Sequence, residues 1–303
     1  MSKIVVVGSS NTDMVIKAAH LPGPGETVLG GQFLMNPGGK GANQAVAAAR
    51  LGGDVVFVAK VGDDIFGQEA VQGFKNVGIN TDYIVVDPDN PSGVATITVD
   101  EKGENCIAVA SGANSTLSPA DVDSAVQQIE AASVLLMQLE TPVQTVEYAA
   151  SLGKKAGKTV ILNPAPAQPL SDGQLALLNV ITPNETEAEI LTGIKVETEH
   201  NAEEAARVLR DKGVGVVIIT LGSRGAFVLS ESFLGLVPAP KVEPVDTTAA
   251  GDTFNGALAV GLADGQAIKD AVVFANKAAA ISVTRLGAQA STPTLNEMER
   301  SEC

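Results

Sequence analysis

The stretch of the chain best suited to chemistry is Asp246-Thr247-Thr248-Ala249-Ala250-Gly251-Asp252-Thr253-Phe254, which opens a helical pattern running on to Ala263. Small residues entering a helix leave its first N–H groups unpaired and let a phosphate approach the backbone. An aspartate in such a first turn ordinarily caps the helix dipole. Here the flanking Ala249, Ala250 and Gly251, with the second aspartate Asp246, favour acid–base work or contact with a metal.

A second cradle is Asn36-Pro37-Gly38-Gly39-Lys40-Gly41-Ala42-Asn43-Gln44, again before a helix. It is not a Walker A loop, because Lys40 is followed by Gly41 and not by Ser or Thr. An ordinary tight turn would need the glycines alone. Lys40, Asn43 and Gln44 within one turn point to a hydroxyl-rich ligand. Asn184 and Glu187 have capping-box spacing, and equally suit a carboxylate near a hydrated divalent cation. Thr220-Leu221-Gly222-Ser223-Arg224-Gly225 reads as a hairpin turn or as a backbone surface for a nucleotide. Asn11 and Asp13 follow the first strand-like run, where α/β sheets bind ligands. His20 and His200 are isolated in polar surroundings and receive no role.

These residues need a scaffold, and the chain spells one. Short apolar runs at 4–8, 55–61, 134–139, 160–162 and 216–221 read as strands covered on both faces. Between them lie helical patterns over 42–51, 119–131, 143–156 and 202–212, and again from Ala249 onward. Ser118-Pro119 with Asp121 marks a helix start, and Gly213 a stop. The alternation predicts βαβ units in a doubly wound sheet. Two stretches break it, about 13–36 and 92–109, the second with a turn at Asp100-Glu101-Lys102-Gly103. Both are expected to form a small β lid within a single domain spanning 1–303.

Composition limits the partners. With Lys+Arg 20 against Asp+Glu 35, the net charge of −15 argues against nucleic-acid binding. Cys106 and Cys303 are too few for a disulfide framework, and no charge-free apolar run reaches membrane-spanning length. A soluble cytoplasmic protein with no membrane partner is expected.

Together the two glycine-bearing motifs, Gly38 to Asn43 and Asp246 to Asp252, resemble the ribokinase branch of the PfkB carbohydrate kinase family, from Lys3 to about Thr292. The resemblance implies a three-layer α/β/α fold with a mostly parallel central sheet and a small β-sheet lid, which in that branch also forms a homodimer contact. It implies Asp252 as catalytic base, with Ala249, Ala250 and Gly251 as the anion hole. Asn11, Asp13, Gly39, Lys40, Gly41, Ala42, Asn43 and Glu140 would hold the sugar. Asn184, Glu187, Thr220, Leu221, Gly222, Ser223, Arg224, Gly225, Gly251 and Asn276 would hold ATP, with Glu187 linked to Mg²⁺. Asp246, Thr248, Ser282, Arg285 (by its carbonyl), Gly287 and Ser291 match the positions of an activating K⁺ site.

The implied reaction is transfer of the γ-phosphoryl of ATP to O5 of D-ribose. Kinases of 2-deoxyribose, a nucleoside or a hexose share that chemistry. Asn11, Asp13 and Asn43 suit a free sugar, and aromatics at 3% disfavour stacking a nucleobase. A non-catalytic binding module fits poorly with Asp252 and its loop, and a dehydrogenase fails for want of a GxGxxG after the first strand.

Overall fold

A computed structural model describes residues 3–301, so Cys303 lies outside the described residues. The strands are β1 (Lys3–Val7), β2 (Asn11–Lys17), β3 (Gln32–Gly38), β4 (Asp54–Gly62), β5 (Ile84–Asp87), β6 (Gly93–Val99), β7 (Asn105–Ala110), β8 (Val134–Met137), β9 (Thr159–Leu162), β10 (Val180–Ile181), β11 (Val216–Thr220), β12 (Ala226–Leu229) and β13 (Leu234–Val237). The helices are α1 (Lys40–Arg50), α2 (Ile65–Asn76), α3 (Pro119–Asp123), α4 (Val126–Ala131), α5 (Val143–Lys155), α6 (Asp172–Leu175), α7 (Glu185–Thr192), α8 (Glu199–Asp211), α9 (Ala250–Ala263), α10 (Ile268–Ser282) and α11 (Leu295–Arg300).

The nine-stranded sheet runs β13-β12-β11-β10-β9-β8-β1-β4-β5, parallel except at the β11–β12 and β12–β13 pairs. Its strands are apolar on both faces because each face is covered. Ile4, Val6, Val55, Phe57, Val134 and Leu136 pack with α1, α9 and α10. Their neighbours Val5, Val7, Val56, Val58, Leu135 and Met137 pack with α4, α5 and α8. Alternate residues thus feed two separate cores, which is what the unbroken β-branched runs encode. Phe57 meets Phe74 edge to face at 5.2 Å on the first side.

Local signals hold where they rest on caps. Ser118 and Asp121 form a reciprocal capping box at α3, and Gly213, with φ 101°, lies just past α8. The helix read over 119–131 is in fact two, broken at Ser124-Ala125. Val122 of the first and Ile129 of the second both lie in the same core. The expected lid is a separate four-stranded sheet, β3-β2-β6-β7. Its β2–β6 pair is parallel, whereas β2–β3 and β6–β7 are antiparallel hairpins. The lid begins earlier than expected, since Asn11 and Asp13 belong to β2. Among the described residues no helix is long and apolar enough to cross a membrane.

Candidate active site

Strand order reverses at β1, which lies between β8 and β4. Such a switch leaves a crevice at the carboxyl ends of the strands. The segments after β1 and β8 and the start of α1 meet in it. Ser9 Oγ donates to Glu140 Oε2 at 2.6 Å, and the Lys40 amide donates to the same oxygen at 2.9 Å. The glycines of the first cradle are there because backbones touch. Gly39 has φ 87°, and a Cβ on it would lie 2.7 Å from the Asn11 amide nitrogen. A Cβ on Gly41 would run into Ser9. The glycine-rich cradle is therefore a tightly packed junction, with Gly41 and Ala42 buried in its wall.

Asp252 sits in the first turn of α9 and is 6% exposed. Its Oδ2 accepts from Asn43 Nδ2 and its Oδ1 from Gln44 Nε2, both at 2.9 Å. Donors on both oxygens set the plane of the carboxylate. The N-cap Ala249 adopts a left-handed φ of 57°, which swings the preceding chain away from the helix axis. The loop expected to supply an anion hole, Ala249 to Gly251, runs directly into the first turn of α9. The Ala250 amide donates to Thr247 O at 3.3 Å, and the first helical bond is from Thr253 to Ala249 O. The amides of Gly251 and Asp252, at the second and third helical positions, are the ones left without an intrahelical acceptor. Gly251 is exposed, with nothing near the place a Cβ would occupy.

The sugar-side candidates converge on the same crevice. Asn11 Oδ1 accepts from Asn114 Nδ2 at 2.8 Å, and Asn114 also holds both backbone polar groups of Ser10. That leaves Asn11's own NH2 to face away from Asn114. Burial pushes the Asp13 carboxyl up to about 6, reinforced by Glu140 and Asp252 nearby. Burial alone would lower Lys40, but Asp252, Glu140, Glu187 and Asp13 outweigh it and hold the ammonium above its ordinary value. Lys40 thus serves four carboxylates at once. Three buried oxygens, Asn43 Oδ1, Thr141 Oγ1 and Gln138 Oε1, have no protein partner, and such groups at a crevice suit a ligand that completes the bonding. At Thr141 a cavity of about 360 Å³ lies between Val109 of the lid and Asn11, Asn114 and Glu140.

The nucleotide-side candidates line the ends of β10 and β11. Asn184 and Glu187 form a full capping box, each side chain bonded to the other's backbone amide at 2.8–2.9 Å. The capping role is therefore real, and burial raises the Glu187 carboxyl above its usual range. Glu187 nonetheless lies close enough to Lys40 and Asp252 to feel their charges, so capping does not remove it from the crevice. The Thr220 amide donates to Pro183 O at 2.9 Å, joining this loop to the next. Leu221 is buried and its amide closes on Gly225 O at 2.8 Å, while Gly222, Ser223 and Arg224 form the exposed turn of the expected hairpin. The Arg224 guanidinium pairs with Glu185 at 3.1 Å. Asn276 is buried in α10 and bonds Val237 O at 2.9 Å, so its visible role is to anchor the chain leaving β13.

The residues matched to a monovalent cation lie in two facing loops. Asp246 Oδ1 accepts from the Thr248 amide and hydroxyl, and Oδ2 accepts from the Gly287 amide at 2.9 Å. Burial opposes ionisation there, but these bonds prevail and hold the carboxyl below its ordinary value. Ser282 and Ser291 hydroxyls bond back to Ala279 O and Ala288 O, each at 2.8 Å. The Arg285 guanidinium pairs with Glu297 at 2.7 Å, which frees its carbonyl from any role in that pair.

Residues missed by sequence reasoning form the floor of the site: Ser9, Asn114, Gln138, Asn163, Thr182 and Asn255, all buried. A signal was present. Gln138, Asn163 and Thr182 are each the first polar residue after an apolar strand run, which places them at the carboxyl edge of the sheet.

The pfkB family carbohydrate kinase model matches residues 1–295. A ribokinase of Haemophilus influenzae is 48% identical over 294 residues, covering 97% of this chain and 96% of that protein. A deoxyribokinase of Salmonella typhi is 42% identical, covering 97% and 96%. The solved structure of Arabidopsis thaliana ribokinase complexed with ribose and ATP superposes with a TM-score of 0.91 at 32% identity, covering 99% of this chain and 98% of that one. A fold, two motifs and a crevice that agree over nearly the whole length leave one assignment: this chain belongs to the pfkB family of carbohydrate kinases.

Proposed function

We propose that the chain transfers the γ-phosphoryl of ATP to O5 of D-ribose, with Asp252 as the base. The observation that carries this reading is the buried Asp252 carboxylate, held on both oxygens, in the same helical turn as the unpaired amides of Gly251 and Asp252. Phosphoryl transfer asks a protein mainly for alignment and for stabilisation of charge on the moving group. Asp252 would align the hydroxyl and take its proton as the bond to phosphorus forms. The two amides would hold the charge growing on the transferred oxygens. Asn11, Asp13, Asn43, Lys40 and Glu140 would bind the sugar hydroxyls, with the orphan Asn43 Oδ1 as one waiting acceptor. Closing the lid over them would exclude water.

The site is rich in carboxylates around a single lysine. A polyanionic nucleotide entering that field needs countercharge, and a hydrated Mg²⁺ near Glu187 fits it, since Mg²⁺ keeps waters and takes few carboxylates. When bound, the cation would neutralise charge on the phosphates. The ionised Asp246 and the hydroxyl and carbonyl oxygens of Thr248, Ser282, Arg285, Gly287 and Ser291 make an all-oxygen donor set suited to K⁺. Apolar side chains exposed on the lid support a homodimer through it: Ile16, Phe33, Met35, Ile107 and Val109 are each about half exposed. A substrate set of ATP and free sugar accords with a cytoplasmic setting.

A coupled ADP-release assay over a sugar panel tests the reading. D-ribose should give the highest kcat/KM, above 2-deoxyribose, hexoses and nucleosides. A higher value for any of these reassigns the substrate, and no sugar-dependent release at all removes the activity.

A further inference from the structure

A polar chain runs beneath the site with no ionisable member except Asp252. Gln44, fully buried in α1, accepts from Gln138 Nε2 at 2.6 Å. Its own NH2 donates to Asp252 Oδ1 at 2.9 Å and to Asn163 Oδ1 at 3.0 Å. Asn163 Nδ2 passes on to Thr182 O at 3.2 Å. Thr182 Oγ1 donates to Asn255 Oδ1 at 2.6 Å, and Asn255 Nδ2 to Gly251 O at 2.8 Å. The chain thus starts at the ends of β8, β9 and β10 and finishes on both Gly251 and Asp252.

We infer that Gln44 is the positioning residue for Asp252, the central member of a carboxamide latch that registers the first turn of α9 against the sheet. This rests on the reading of Asp252 as the base. A carboxylate can only accept, so Gln44 must present its NH2 to Asp252 and its oxygen to Gln138, and both N–H groups are then used. The orientation of the amide is over-determined. Because these groups are buried, each bond is strong if satisfied and costly if broken. The same latch reaches Gly251, whose amide is one of the two free donors. Base and anion hole would therefore move together if the latch failed, and a misplacement of about 1 Å is enough to cost roughly 100-fold in rate.

Three variants of the full chain test this: Gln44→Met, Gln44→Glu, and Gln44→Glu combined with Asp252→Asn. Gln44→Met keeps length and removes every polar atom. It should lower kcat roughly 10- to 100-fold with the KM for ribose and ATP changed less than about threefold. Gln44→Glu keeps the acceptor for Gln138 but sets a second carboxylate against Asp252, so it should lower both kcat and Tm. The double variant reverses donor and acceptor at the 44–252 contact but leaves the new carboxylate against Asn163 Oδ1, so it should recover part of the lost Tm while staying inactive. Gln44→Met with kcat within about twofold of wild type overturns the inference, as does a loss confined to KM. A double variant no more stable than Gln44→Glu alone overturns the direct Gln44–Asp252 bond, because the two differ only at position 252. If the wild type itself phosphorylates no sugar, the functional reading fails, and the melting comparison still decides whether the bond exists.

Discussion

Asn43 donates to Asp252 Oδ2 at 2.9 Å across a sequence separation of 209 residues, joining the first glycine-rich motif to the last. The two motifs are thus one site, built where α1 lies against α9. Asp252→Asn keeps side-chain volume and removes the base. The expected result is a fall in kcat of about 10²–10⁴, with ribose binding retained in calorimetry. A variant turning over near the wild-type rate would take Asp252 out of the mechanism.

The contact between those helices depends on Gly256. A Cβ there would lie 2.6 Å from Ala47 Cβ and 2.8 Å from Gln44 O. Gly256→Ala should therefore cost about 1–3 kcal/mol by overpacking and lower kcat, because it pushes Gln44 away from Asp252. A melting curve and a turnover measurement on one preparation check both effects. An unchanged Tm would mean that the helices separate freely.

Asp13 supplies a pH dependence. Its folded value of about 6 lies above the ordinary 3.8, so the protein without ligand carries a penalty that is full above about 6 and absent below 3.8. Stability is lost as pH rises through that window. Asp13→Asn should raise Tm near pH 7.5, with the gain shrinking toward pH 4. Sugar binding should move the other way. The KM for ribose should rise as pH falls through about 6 in the wild type, and stay high and flat in the variant.

Asp246 tests the monovalent cation. Activity should be higher in K⁺ than in choline at equal ionic strength, and Asp246→Ala should level the two. Equal wild-type rates in both salts would remove K⁺ from the account.

The lid offers the dimer test. Ile107 shares the lid face of Asp13, and Phe33 the opposite face. Charged substitutions, Ile107→Asp and Phe33→Asp, should each be measured by light scattering. At least one should lower the mass from that of two chains to that of one. Two unaffected dimers would place the contact elsewhere.

Much of this was legible before any coordinates. Strand runs such as Val55 to Val61 carry their own periodicity, and the capping boxes at Ser118 and Asn184 are complete within four residues. Local bonds and burial on both faces leave local marks. The helix break at Ser124-Ala125 was invisible because no Gly or Pro stands there. The loop entering α9 was legible as a helix start, but the bond from the Ala250 amide to Thr247 O was not.

The residue types at the site and the order of the elements were written in the sequence, because each follows from side-chain chemistry or from local periodicity. Tertiary structure alone decided that Gln44 faces Asp252 and not solvent, that Asn114 holds Asn11, and that Asp13 is pushed up to about 6. Those facts depend on burial and on partners far apart along the chain, and neither quantity has a local signature.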